Sequence, residues 1–228
     1  MSAARAKRTR RRTRPAARRK APATTRERLV EATRAVLEEG GSAAASVQAI
    51  AERAGLAAGA LYRHFPSKAD LLVEVFRDAA RRDLVAMQRA AATGRSVERL
   101  EAAVATFARR ALRSRRLAWA LVYEPVDPRV DTERLAYRRE YCRQMALLLR
   151  AGIAAGEIPE QNAELTAAAL VGAIAESLVG PLSPIGGQAG SDEELIAVLV
   201  RFCRRSLGVR DGATLRSVAR GAGRAGGS

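Results

Sequence analysis

Apolar residues recur along this chain at intervals of three and four, the spacing of one helical face. Leu29, Ala32, Val36 and Leu37 mark the first such face. Thr25 can cap that helix, and Gly40-Gly41 ends it. A shorter pattern follows, with Ser46 as cap, Val47, Ile50 and Ala51 inward, and Gly55 as the stop after Ala54. Only glycine makes the sharp turn there without strain. A second short helix, about Ala57 to His64, turns Leu61 inward. Phe65-Pro66 breaks it, because the residue before proline avoids helical backbone. Ser67 caps a longer helix with Leu71, Leu72, Val75, Phe76, Ala79, Leu84 and Met87 in its stripe. Further helices are predicted at about 96–113, 115–123, 131–155, 161–180 and 192–207. No sustained strand alternation interrupts them. The expected fold is all-α, with about nine helices.

Composition supports this reading. Aromatics make up 4% of the chain, so the core must come mainly from Ala, Leu and Val, and Ala and Leu are strong helix formers. The formal charge of +16 is unevenly placed: the first 20 residues carry ten Lys or Arg and no acid. The pattern divides the chain into a disordered basic arm (1–24), a helix-turn-helix domain (25–70), a regulatory and dimerisation domain (71–208) and a disordered tail (209–228). A basic arm suits polyanions such as nucleic acid; a merely solvated tail is the plainer reading.

Two short helices joined by a glycine turn and braced by a preceding helix make a helix-turn-helix, whose second helix enters the DNA major groove. A plain helical hairpin would explain the apolar positions but not the polar ends. The stretch SVQAIAERAGLAAGALYRHFPSKADLL carries more. Ser46, Ile50-Ala51, Ala54-Gly55, Leu61-Tyr62, His64-Phe65 and Ser67-Lys68 with Leu71 together resemble the DNA-binding signature of the TetR family of bacterial transcriptional regulators. The remaining two-thirds resembles that family only in layout.

The resemblance implies that Tyr62, His64 and Lys68 contact phosphates, with Ser46 and Gln48 on the backbone from the other side. Chemistry agrees: phenol, imidazole and ammonium all donate to phosphate oxygens, and a helix N-terminus favours an anion. Arg63 faces away from Leu61 and can pair bidentately with guanine. The leading positions Ala57, Ala58, Gly59 and Ala60 depart from the family, which often places Ser, Lys or Thr there. They offer no base hydrogen bonds but permit close approach. Arg elsewhere is discounted, since abundant Arg, Ala and Gly suits GC-rich coding. Lys68 escapes that discount as the only lysine beyond residue 20.

A helix-turn-helix protein usually binds two half-sites as a homodimer. The last two helices offer Ala168, Gly172, Ala175, Leu195, Leu199, Phe202 and Cys203 as an interface, although both could be ordinary core helices. Between them and the head, Met87, Phe107, Trp119, Tyr123, Tyr141 and Met145, with Glu124 or Glu176 as charged groups, would line a pocket for an unknown small-molecule effector. Core packing explains each of these residues equally well.

The resulting expectation is a dimeric regulator, most simply a repressor released from a palindromic operator in double-stranded DNA by a small molecule. The alternative is a basic structural nucleic-acid binder without ligand response. An enzyme is disfavoured: one His, no paired catalytic motif and no phosphate-binding glycine loop are present. Cys142 and Cys203 lie far apart without a CxxC, which suits buried free thiols rather than zinc or a disulfide. No metal or cofactor is expected. With no signal peptide and no run of about 18 apolar residues recognised, a cytoplasmic protein without membrane attachment is expected.

Overall fold

The computed structural model describes residues 24–125, 127–186 and 190–209. The basic arm and most of the tail lie outside them. Among the described residues are eight α-helices, one 3₁₀ helix and no strand. The order is α1 (Thr25–Ala44), α2 (Val47–Ala54), the 3₁₀ helix (Ala58–Arg63), α3 (Lys68–Ala90), α4 (Ser96–Arg113), α5 (Arg115–Val122), α6 (Pro128–Ala154), α7 (Ala163–Leu182) and α8 (Asp192–Ser206).

Side-chain caps set most starts. Ser46, Ser67 and Ser191 each accept a backbone N–H three residues on. The cap of α1 is Thr24 rather than Thr25, in a reciprocal capping box with Glu27. The helix also does not end at Gly40-Gly41. It kinks at Gly41, whose φ is +70°, and resumes to Ala44. α6 starts three residues before the predicted point, because Asp127 caps it and Pro128 occupies its first turn, where a missing N–H costs nothing.

Two large cores result. The head core joins Leu29, Leu37, Ile50, Leu61, Phe65 and Leu71, all 0–2% exposed, with Leu117, Ala120 and Leu121 of α5. The larger core lies between α4, α6, α7 and α8 and centres on Leu100, Val104, Leu149, Ala167 and Cys203, each 0% exposed. Each fully buried Leu contributes roughly 1.5–3 kcal/mol from apolar burial. α3 belongs to both regions: Leu71 and Val75 pack in the head, whereas Met87 packs beyond it against Ala103. The expected boundary at 70/71 therefore falls inside one continuous helix.

α7 corrects another expectation. It is 20 residues long and apolar enough, by length and composition, to cross a membrane. One side, Ala163, Ala167, Leu170, Ile174, Leu178 and Leu182, is buried in the protein. The other carries exposed Leu165, Ala168 and Ala169, so the helix is apolar around most of its circumference. Such a helix calls for cover on both sides.

Candidate nucleic-acid interface and regulatory cavity

The head is built around the turn at Gly55, which is left-handed with φ +64° and closes α2. Arg28 of α1 braces this turn by donating to the Ala54 carbonyl at 2.5 Å. Beyond it, Ala57 supplies no side-chain cap, and the segment winds as a tight 3₁₀ helix rather than an α-helix. Ala60 and Leu61 turn inward. Ala57, Ala58 and Gly59 face out, and a Cβ added at Gly59 would meet nothing within 4 Å. Ala60, at 3% exposed, is thus packed into the head and does not face a groove.

Tyr62, 57% exposed, stands beside exposed Arg63 and His64, with half-buried Lys68 opening α3. Among the described residues none of these four has a hydrogen-bond or ion-pair partner in the chain. Most arginines of the body, by contrast, are paired with carboxylates. Gln48 is likewise exposed and unpaired, whereas the Ser46 hydroxyl already accepts from the Ala49 N–H at 3.1 Å. One carboxylate, Asp70, lies in the first turn of α3 beside this cationic group. The Ser67 hydroxyl holds Asp70 below the usual carboxylate range, burial opposing, with Arg129 of α6 assisting from 3.0 Å. Its charge is therefore largely answered, and the start of α3 keeps a positive potential.

Farther along α3 lies a cavity of about 570 Å³, partly open to solvent. Phe76, Ala79, Ala80, Asp83 and Met87 of α3 form one wall, and Phe107, Leu121, Tyr141, Met145, Ile174 and Leu178 stand around the rest. Phe107 and Tyr141 meet edge to face at 5.5 Å. Asp83 sits on this wall; burial raises its carboxyl, partly countered by Arg110 at 2.5 Å.

Five of the eight expected pocket residues, Met87, Phe107, Tyr123, Tyr141 and Met145, stand on the cavity wall. Three do not. Trp119 packs against Tyr123, ring to ring at 5.0 Å, on the larger core. Glu176 is exposed on the outer side of α7. Glu124 points to the end of α1, accepting from the Ser42 N–H at 2.7 Å and pairing with Arg116 at 2.6 Å. Arg116 in turn donates to the Gly40 carbonyl at 3.1 Å. Polar wall residues absent from the expectation, among them Asp83, Arg110, Asp131, Arg134 and Arg138, sit on apolar-patterned helices. Their sole sequence signal is a charge at a position that the helical period turns inward.

The expected interface residues also divide. Ala168 and Phe202 (49% exposed) face outward, and Gly172 is half-buried with open space over its Cα. Leu195 is half-buried against the larger core. Leu199 and Cys203, at 3% and 0% exposed, pack inside the protomer's own core against α4, and Ala175 lines the cavity. Burial pushes the Cys203 thiol up to about 11. The outward apolar face instead adds Leu165 (69% exposed) and Val198 (52%) to Ala168 and Phe202.

All-helical described residues with a helix-turn-helix head and an adjoining helical cavity define a class of one-component regulators. Residues 29–75 match the family model for bacterial regulatory proteins of the tetR family, and residues 93–178 that for the tetracyclin repressor-like C-terminal domain. Together they span more than half of the chain, and the protein belongs to the TetR family.

The HTH-type transcriptional repressor KstR of Mycolicibacterium smegmatis is 43% identical over 76 residues, 33% of this chain and 37% of that protein. KstR of Rhodococcus jostii is 52% identical over 48 residues, 21% and 23% of the two chains. The matched segment thus spans about a third or less of these relatives' length. Among solved structures, FadR of Bacillus subtilis in complex with stearoyl-CoA superposes with a TM-score of 0.67 at 20% identity, over 77% of this chain and 96% of that one. A TetR/AcrR-family regulator of Thermobifida fusca gives a TM-score of 0.63 at 26% identity, over 82% and 98%.

Proposed function

We propose that the protein is a homodimeric transcriptional regulator that binds a palindromic operator and is released by a small-molecule effector. One observation carries the reading. α3 is a single helix that begins at the unpaired cation Lys68 and, from Phe76 to Met87, forms a wall of the cavity. A ligand that displaces this wall must also move the cationic start of the helix. A structural nucleic-acid binder has no use for such a cavity.

The parts act as follows. Tyr62, His64 and Lys68 donate to phosphates and fix register, Ser46 and Gln48 meet the backbone from the other side, Arg63 reaches base edges, and the small Ala57–Gly59 surface lets the 3₁₀ helix approach closely. DNA shape supplies part of the selectivity. Two copies meet through the outward faces of α7 and α8. The head moves with α3, while Glu124 ties the end of α1 to α5 and Arg129 ties the start of α3 to α6. Shifting the equilibrium almost fully needs an effector that prefers the released state by about 5.5 kcal/mol.

The test is binding to a palindromic fragment from upstream of the gene. Saturable two-half-site binding, abolished by His64→Ala with Lys68→Ala, supports the reading. Equal affinity for random DNA with the same salt dependence would replace it with the structural binder.

A further inference from the structure

The charged groups on the cavity wall are unequal. Arg34, Arg82, Arg110 and Arg134 each have a carboxylate partner at 2.5–3.4 Å. Arg138 lines the same cavity and, among the described residues, has neither ion-pair nor hydrogen-bond partner. One helical turn deeper on α6, at three residues' spacing, stands Tyr141. Its hydroxyl also has no hydrogen-bond partner among the described residues. Burial, with the Asp83 charge a lesser cause, raises the Tyr141 phenol, so it remains an O–H donor. Two free donors thus lie one turn apart on α6, the cation at the outside. Among the described residues the wall's only carboxylates, Asp83 and Asp131, are already engaged by Arg110 and Arg134. A cationic ligand would find no free anion and an excess of guanidinium.

We propose that the cavity takes a ligand with an elongated apolar body and an anionic, oxygen-bearing head, Arg138 taking the negative charge and Tyr141 donating to a ligand oxygen one turn inside. This rests on the reading of the cavity as the effector site. A free carboxylate and a coenzyme A thioester share this chemistry: the first offers its own charge to Arg138, the second its phosphates, with the thioester carbonyl toward Tyr141.

The test is calorimetric titration of the full-length protein, without DNA, with dodecanoate, dodecanol, dodecylamine and dodecanoyl-CoA. Dodecanoate or dodecanoyl-CoA should bind about tenfold or more tightly than the alcohol and the amine. Whichever of the two binds identifies the source of the charge. Arg138→Gln should abolish this preference, yet each methylene removed from the chain should still weaken binding about fourfold. Tyr141→Phe should weaken the anionic probe several-fold. Alcohol or amine binding as tightly as the anions, a preference that survives Arg138→Gln, or no binding of any probe would overturn the proposal. Because DNA is absent, such a failure leaves the regulator reading intact. Anion binding that never releases an operator would sink that reading and leave this one standing.

Discussion

Arg129, in the first turn of α6, donates to Asp70, in the first turn of α3, at 3.0 Å, and to the Ser67 hydroxyl at 3.2 Å. The pair links the start of a cavity-lining helix to the start of the helix that presents Lys68. It is exposed and solvent-screened, so its part in stability is small. In the proposed mechanism it is, with the Glu124 contact, one of the ties through which α6 and the head would move together.

Arg129→Ala should therefore leave the melting temperature almost unchanged while altering effector response. Fluorescence anisotropy on operator DNA should show effector-free affinity within about threefold of wild type and incomplete release at saturating effector. Unchanged release would show that the pair carries no coupling.

Glu124 holds the end of α1 against α5. Burial pushes its carboxyl upward, but the Ser42 hydroxyl and N–H and the Arg116 guanidinium more than offset this, leaving it below the usual 4.5. A depressed carboxyl contributes stability above its unfolded-state value and loses it as pH falls through the folded-state value. Urea denaturation should show wild type losing stability relative to Glu124→Gln as the pH drops below about 4.5. At neutral pH the substitution should cost about 1 kcal/mol. A difference that does not depend on pH would contradict the assignment.

Gly59 faces open space without a left-handed backbone, so Gly59→Ser should fold normally. It places a hydroxyl where the chain offers none and should change base preference at one or two operator positions, read by binding selection from a randomised half-site. An unaltered preference would mean that this face does not lie along the bases.

Leu149, fully buried in the larger core, should cost about 2–5 kcal/mol when truncated to Ala, measured by denaturation. Leu165→Glu with Phe202→Glu should instead leave the protomer folded and give a monomer in sedimentation velocity, since both side chains are outward. A dimer that survives would place the interface elsewhere.

Much of this architecture is legible in local sequence because the signals are local. Ser46, Ser67 and Gly55 act through their own backbone neighbourhood, and the helix-turn-helix follows from them. What local pattern misses is which side of an apolar helix faces inward. Leu199 and Cys203 share a stripe with Phe202, yet the packing of α8 on α4 buries the first two and exposes the third. Glu124 looks like a pocket acid because it follows Tyr123. Its partner Ser42 is 82 residues away, beyond a kink at Gly41 that no helical period announces. Ala60 reads as groove-facing on an α-helix, but the tighter 3₁₀ winding rotates it inward.

In the proposed complex Tyr62, His64 and Lys68 form a phosphate clamp on a two-half-site operator. Its most direct measurement is the salt dependence of operator affinity for wild type and for the His64→Ala, Lys68→Ala variant. The variant should bind more weakly at every salt concentration. Its log–log slope should fall by about 0.9 for each phosphate-neutralising cation that the substitutions remove from a half-site. An unchanged slope with unchanged operator affinity would contradict it.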